Sequence, residues 1–277
     1  MPDARADRRT ALTLRRAALL ALVVLYLGVL AIAPLAAIVH QFVASGPARA
    51  LDELLASGAL GAFGRTLAVM AIAIAVNAVF GVAAALVLAR QRFLGRGLLD
   101  GLVEMPLAVS PVMTGLAFIL IFGANGWARA LVEPLGIKVI FSFLGLVIGT
   151  VFVTMPFVVR EVVNVLGELG TSEEDAAATL GASRWQTFRL VTFRNIRHGL
   201  SFGVTLTAAR ALGEFGAVVV LGGAISGQTD TATTFIYNAV EERHEGAAAG
   251  MSLALALASA LVLVALERLK RRARKEI

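Results

Sequence analysis

The chain has 277 residues, 58% of them hydrophobic and 16% charged, with a mean hydropathy of +0.82. A soluble domain carries about 25% charged residues, and here the apolar residues gather in blocks longer than a core helix needs, which excludes a soluble globular protein and indicates an integral membrane protein. Cysteine is absent, so disulfides and thiolate chemistry are excluded too.

Six stretches are long enough to span: 17–39, 66–89, 105–122, 141–159, 199–223 and 247–266. Each approaches the roughly 20 apolar residues that carry a helix across a bilayer, where the backbone must satisfy its own hydrogen bonds. The first follows Arg5, Arg8, Arg9, Arg15 and Arg16, as in a signal peptide, but its apolar run exceeds the usual core of about 7–15 residues and reads as a retained span. The second holds a lone Asn77, read as an interhelical hydrogen bond. The third begins Met105-Pro106 and contains Ser110-Pro111 and Thr114. Its prolines free backbone carbonyls, which suits either a packing kink or a cavity lining. The fourth closes on Met155-Pro156 near one surface, with Arg160-Glu161 beyond it. The fifth opens with Gly199 and Gly203, a close-packing pair, and is the only span with charges deep inside, Arg210 and Glu214.

Placing the N-terminus in the cytoplasm and alternating the spans puts 19 of the 25 basic residues on the cytoplasmic side, in clusters before span one, at 90–96, at 160–197 and at 268–275. That asymmetry is the positive-inside rule. It accounts for the net charge of +6 without nucleic acid, and it makes RLKRRARK at 268–275 an anchor beside anionic lipid. The chain then divides into a cytoplasmic tail at 1–16, a six-span domain at 17–267 with a cytoplasmic loop at about 160–198, and a basic cytoplasmic tail at 268–277. The outer loops hold seven acidic residues against five basic ones.

Catalytic signatures are missing. None of the three lysines, Lys138, Lys270 and Lys275, is followed by Ser or Thr, so there is no phosphate-binding loop of the Gly-Lys-Ser/Thr kind. His40, His198 and His244 have no metal-binding spacing, and there is no GxSxG elbow. The chain reads as a non-enzyme that binds no cofactor or metal: a transporter, channel or receptor.

Residues 174–197, EDAAATLGASRWQTFRLVTFRNIR, form a polar segment on the cytoplasmic side. Thr171 with Glu174 and Ser172 with Asp175 are two overlapping capping boxes, and the acids suit the positive end of a helix. A first helix should run through Leu180 and end at Gly181 in a left-handed turn. Ser183 should cap a second, carrying Trp185, Phe188 and Val191. The pair suits either a connector on the headgroups or a plug whose Ala face enters a protein groove.

This segment resembles the cytoplasmic coupling motif of ABC importer permeases: Glu-Ala-Ala, three residues, Gly, nine residues, Ile, one residue, Leu-Pro. Asp175-Ala176-Ala177, Gly181, Val191, Phe193 and Arg194 stand at the motif positions. Arg194 replaces the Pro, which puts the turn back towards span five in question. PLAVSPVMTGL (106–116), FGANG (122–126), FVTMPFVVRE (152–161) and ARALGEFGAV (209–218) are similar to sulfate/thiosulfate importer permeases of the CysW type. The resemblance implies an all-α, six-span permease of the MetI/ModB-like fold in a bacterial inner membrane, with both termini cytoplasmic. It implies ATP and Mg bound by a partner ATPase in two copies, a second related permease, and a periplasmic sulfate/thiosulfate-binding protein. Glu174, Asp175, Ala176, Ala177, Leu180, Gly181, Ala182 and Trp185 would seat in the ATPase.

Ser110, Thr114, Arg210 and Glu214 are the residues that could line the path. Arg210 and Glu214 lie at i, i+4 and read as one helix face. Charges at that depth cost about 2.5–3.5 kcal/mol on insertion scales, so they pair or face water. An ion pair that only holds structure and a pair that meets the anion both fit. A homodimeric molybdate/tungstate permease shares ARALGEFG, and a passive anion channel would share the spans but leave the coupling segment without a use.

Overall fold

A computed structural model describes the backbone of residues 4–56 and 58–275 and, Ala18, Ala56 and Ser57 apart, the side chains from Arg16 to Arg268. All regular structure among the described residues is helical: α1 (Ala4–Ala44), α2 (Pro47–Ala56), α3 (Ala59–Arg90), α4 (Arg96–Ala108), α5 (Pro111–Phe122), α6 (Arg129–Val132), α7 (Phe143–Leu169), α8 (Ser172–Thr179), α9 (Arg184–Thr187), α10 (Phe193–Leu212), α11 (Gly216–Gly222), α12 (Ala232–Glu241) and α13 (Glu245–Lys275). The basic clusters at 5–15 and 270–275 lie outside the described side chains.

Four helices can cross a bilayer uninterrupted: Leu19–Ala44 within α1, all of α3, all of α7, and Glu245–Arg268 within α13. Two further crossings are bent. α4 and α5 meet at 118°, and the helix running Arg184–Leu212 meets α11 at 58°. Counting each bent pair as one span gives six.

The centre is built on small residues. Along α3, Ala62, Thr66, Val69, Ala73, Asn77, Gly81, Ala85 and Leu88 recur every three or four positions and form its buried face. α7 packs against this face closely enough that a Cβ on Gly81 would stand 2.8 Å from Val158. α10 runs antiparallel to α7. A Cβ on Gly199 would meet the Glu161 carbonyl at 2.8 Å, and one on Gly203 would meet the Val158 Cα at 2.8 Å. The GxxxG pair therefore serves backbone-to-backbone packing. Asn77 donates to Thr154 Oγ1 (2.8 Å) and the Val151 carbonyl (3.2 Å), the interhelical bond its position suggested.

Several elements differ from the expectation. Span three is not one helix over 105–122. It breaks at Val109-Ser110, where Pro111 takes the first position of α5 and cannot donate back into α4. Span four does not end at Met155-Pro156, because α7 runs through a buried Pro156 to Leu169. A proline is tolerated inside a membrane helix where its neighbours cover the freed backbone. Span five is not one helix over 199–223. It breaks at Gly213-Glu214-Phe215. The loops expected on the outer side also hold helices, α2 and α12, too short to register as spans.

Candidate functional site

In the segment expected on the cytoplasmic side, α8 closes on Leu180, and Gly181 follows at φ +84°. The Gly181 N–H donates to the Ala178 carbonyl and the Ala182 N–H to the Ala177 carbonyl, both at 3.0 Å. These two bonds make a Schellman motif, which needs a left-handed residue at that position. Ser183 then caps α9 through a full capping box: its hydroxyl accepts from the Gln186 N–H (3.3 Å), and its own N–H donates to Gln186 Oε1 (2.8 Å). The capping boxes read at Thr171 and Ser172 are not formed. The Thr171 hydroxyl donates instead to Asp175 Oδ2 at 2.9 Å.

Between α9 and α10, Phe188–Thr192 form a π-helical turn, so the chain enters span five as one helical run. Arg194 marks no turn back into the membrane. The extra residue of a π-turn re-aims the side chains beyond it. Trp185 stacks on Phe188 with ring centroids 5.6 Å apart. Leu180 is 88% and Trp185 67% exposed. Asp175, Ala176 and Gly181 are exposed as well, Ala177 and Ala182 half-buried. Glu174 turns inwards, where it accepts from Arg90 Nε (2.9 Å) and Nη2 (3.3 Å) and from the Thr192 hydroxyl (2.9 Å). Sequence reading did not anticipate Arg90 and Thr192 as partners of Glu174, nor Asn195 as a partner of Glu173; the only signal of Arg90 was its place in a basic cluster expected on the cytoplasmic side.

Within the membrane, the breaks in spans three and five adjoin. A Cβ on Gly216 would lie 3.0 Å from Pro111 Cβ and 3.1 Å from the Val112 nitrogen, so the first turns of α11 and α5 touch. Ser110, Thr114, Arg210 and Glu214 are thus carried by two neighbouring breaks. Arg210 Nη1 stands 2.6 Å from Glu214 Oε2, the Arg210 side chain 33% and the Glu214 side chain 1% exposed. They do not share one helix face as expected. Glu214 sits in the break, where Oε1 accepts the Ala217 N–H (3.0 Å) and its carbonyl accepts the Thr233 hydroxyl (2.7 Å). The carboxylate therefore occupies the N-terminal end of α11, where negative charge is stabilised. Ser110 is exposed at the N-cap of α5 without capping it by its side chain, and the buried Thr114 Oγ1 has no hydrogen-bond partner among the described residues. Irregular backbone at membrane depth is tolerated where it is packed in protein or lines a wet cavity.

At the opposite end of α3 from Arg90, Arg65 forks onto Asp230 and donates to the Gly227 carbonyl at 3.3 Å, pinning the loop before α12 to the start of α3. Arg129 donates to Glu133 at 3.0 and 2.8 Å, and this hydrogen bond and charge hold the Glu133 carboxyl below its usual range.

Residues 77–275 match the family described as the binding-protein-dependent transport system inner membrane component. The chain is 41% identical over 254 residues to the sulfate transport system permease protein CysW of Synechocystis, covering 92% of both chains. It is 45% identical over 196 residues to CysW of Escherichia coli K12, covering 71% of this chain and 67% of that one. To CysT of the same strain it is 35% identical over 248 residues, 90% of each. Among solved structures it resembles a chain of a bacterial ABC transporter that imports the acidic polysaccharide alginate, with a TM-score of 0.81 at 14% identity over 97% of this chain and 99% of that one. Another structure of a bacterial alginate ABC transporter, in complex with its alginate-bound periplasmic protein, matches with a TM-score of 0.78 at 15% identity over 98% of each chain. The chain belongs to the family of binding-protein-dependent inner-membrane permeases, the membrane-spanning subunits of ABC importers, and stands within it beside the sulfate permeases.

Proposed function

We propose that this chain forms half of the membrane pathway of an ATP-driven sulfate importer and docks through α8 and α9 into a cytoplasmic ATP-hydrolysing partner. The observation that carries this reading is the surface at 175–185. The Gly-terminated α8 exposes Leu180 and the Ser183-capped α9 exposes Trp185, in a chain with no phosphate-binding loop of its own, and the proposed topology turns both towards the compartment that holds ATP. Large exposed apolar side chains on a polar helix pair are the anchors that a protein groove takes up. The sulfate assignment is supported by 41–45% identity to CysW proteins. That one organism carries both CysW and CysT supports a heteromer, with this chain in the CysW place beside a CysT-like partner.

In this mechanism ATP binding draws two ATP-binding subunits together, and α8 moves with the one that holds it. The spans then rock between inward- and outward-facing states, and the anion passes the adjoining breaks of spans three and five. Arg210, one-third exposed, attracts the dianion. Glu214, fixed against α11, keeps part of that charge neutralised so that the anion leaves again. Ser110 and Thr114 offer hydroxyls in place of water. A periplasmic binding protein delivers sulfate to the outer face, and both termini lie in the cytoplasm.

The test is co-purification of the chain with its second permease and ATP-binding subunit. Leu180→Asp should release the ATP-binding subunit while the second permease stays bound. Full retention of the ATP-binding subunit by Leu180→Asp and by Trp185→Ala would overturn the docking assignment.

A further inference from the structure

Arg90, the last residue of α3, spends its guanidinium on two other elements at once, α8 and the end of α7. Nε and Nη2 fork onto the two oxygens of Glu174 in α8, while Nη1 donates to the Leu166 carbonyl (3.0 Å) and Nη2 to the Gly170 carbonyl (2.7 Å). The last two acceptors are at the C-terminal end of α7, where carbonyls lack helical partners and the helix dipole favours a cation. Glu174 Oε1 also takes the Thr192 hydroxyl, from the π-turn that opens span five. Asn195 in α10 donates to Glu173 at 2.6 Å. One polar knot thus ties α8 to spans two, four and five.

Among the described residues α8 is held to the spans chiefly by this knot. None of its side chains is fully buried, so apolar packing contributes little to its angle to the spans. A helix that carries load without a packed face must pass it through directional bonds. The Arg–carboxylate fork is suited to that, because two parallel N–H···O bonds and two carbonyl bonds define an orientation as well as a distance.

We propose that Arg90 is the positioning residue that makes α8 and spans two, four and five move as one body, so that motion of the ATP-binding partner becomes motion of the spans. This rests on the reading of α8 as the docking element. The knot is a positioning device more than a source of stability. Arg90 and Glu174 are each about one-fifth exposed, and partly solvated ion pairs contribute little to folding. Lysine would keep the charge but lose the fork.

The experiment uses the whole transporter in proteoliposomes: this chain with its second permease, ATP-binding subunit and binding protein. Radiolabelled sulfate uptake and ATP hydrolysis are measured in parallel. Arg90→Gln should retain the ATP-binding subunit and its hydrolysis, and sulfate moved per ATP should fall about tenfold, the factor that loss of one charged hydrogen-bond set supplies. Arg90→Lys should fall between the two. Because both residues belong to one knot, Arg90→Gln/Glu174→Gln should lower sulfate per ATP no further than either single change.

Unchanged sulfate per ATP in Arg90→Gln overturns the proposal, and so does loss of the ATP-binding subunit from that variant, which would make Arg90 a folding or docking residue. If Leu180→Asp releases the ATP-binding subunit while Arg90→Gln remains fully coupled, the positioning role falls and the docking surface stands. If the unaltered chain holds no ATP-binding subunit, both fall.

Discussion

Gly181 is the residue whose replacement separates backbone strain from contact. It sits at φ +84°, and a Cβ built there meets nothing within 4 Å. An alanine therefore clashes with no atom of this chain, and what it adds is the left-handed penalty of an L-residue, about 1–2 kcal/mol. The penalty falls on the turn that ends α8 and sets its direction into α9, so the native turn loses about 5–30-fold in population against straighter alternatives. Asparagine tolerates the left-handed region far better than alanine or valine. Sulfate uptake, normalised to the amount of chain in the membrane, should therefore rank Gly, then Asn, then Ala, then Val at position 181. If the surface of a docked partner excludes any side chain there, the bulkier Asn will be worse than Ala. That inverted order, or full uptake by Gly181→Val, would refute the strain reasoning.

Arg210→Ala should abolish uptake even where membrane abundance is normal. Neutralising the carboxylate as well, in Arg210→Ala/Glu214→Gln, removes the unpaired buried charge but does not return the attraction for sulfate. Restored uptake in the double variant would make the pair purely structural. Gly203→Val should lower the melting temperature of the detergent-solubilised chain, since its Cβ would enter backbone atoms of α7 and overpacking costs about 1–3 kcal/mol. Gly213→Ala is the matched control, with open space at its Cβ and φ −97°; an equal drop in both would contradict the packing account.

The parts of the fold that follow local rules were legible in the sequence. Apolar blocks gave the spans to within a few residues at most ends. The Gly181 turn, the Ser183 cap and the Asn77 bond came out as their residue types suggest. What stayed hidden depends on partners far along the chain. Thr171 and Glu174 have the spacing of a capping box, yet Glu174 is taken by Arg90, 84 residues away, and Thr171 turns to Asp175. Arg210 and Glu214 have helical spacing and do pair, but Gly213 and Gly216 on either side of Glu214 let the helix break between them. Pro156 would stop an isolated helix and does not stop α7, because its turn is packed among other helices. The meeting of the two breaks at Pro111 and Gly216 joins residues 105 positions apart, and no periodicity announces it.

The most direct measurement is radiolabelled sulfate uptake by cells from which this chain has been deleted, with and without its return on a plasmid. Uptake should fall to background on deletion and recover with the chain, compete with thiosulfate, and stop when cellular ATP is depleted. Sulfate uptake that persists undiminished without the chain, or that yields to molybdate and not to thiosulfate, would contradict the assignment.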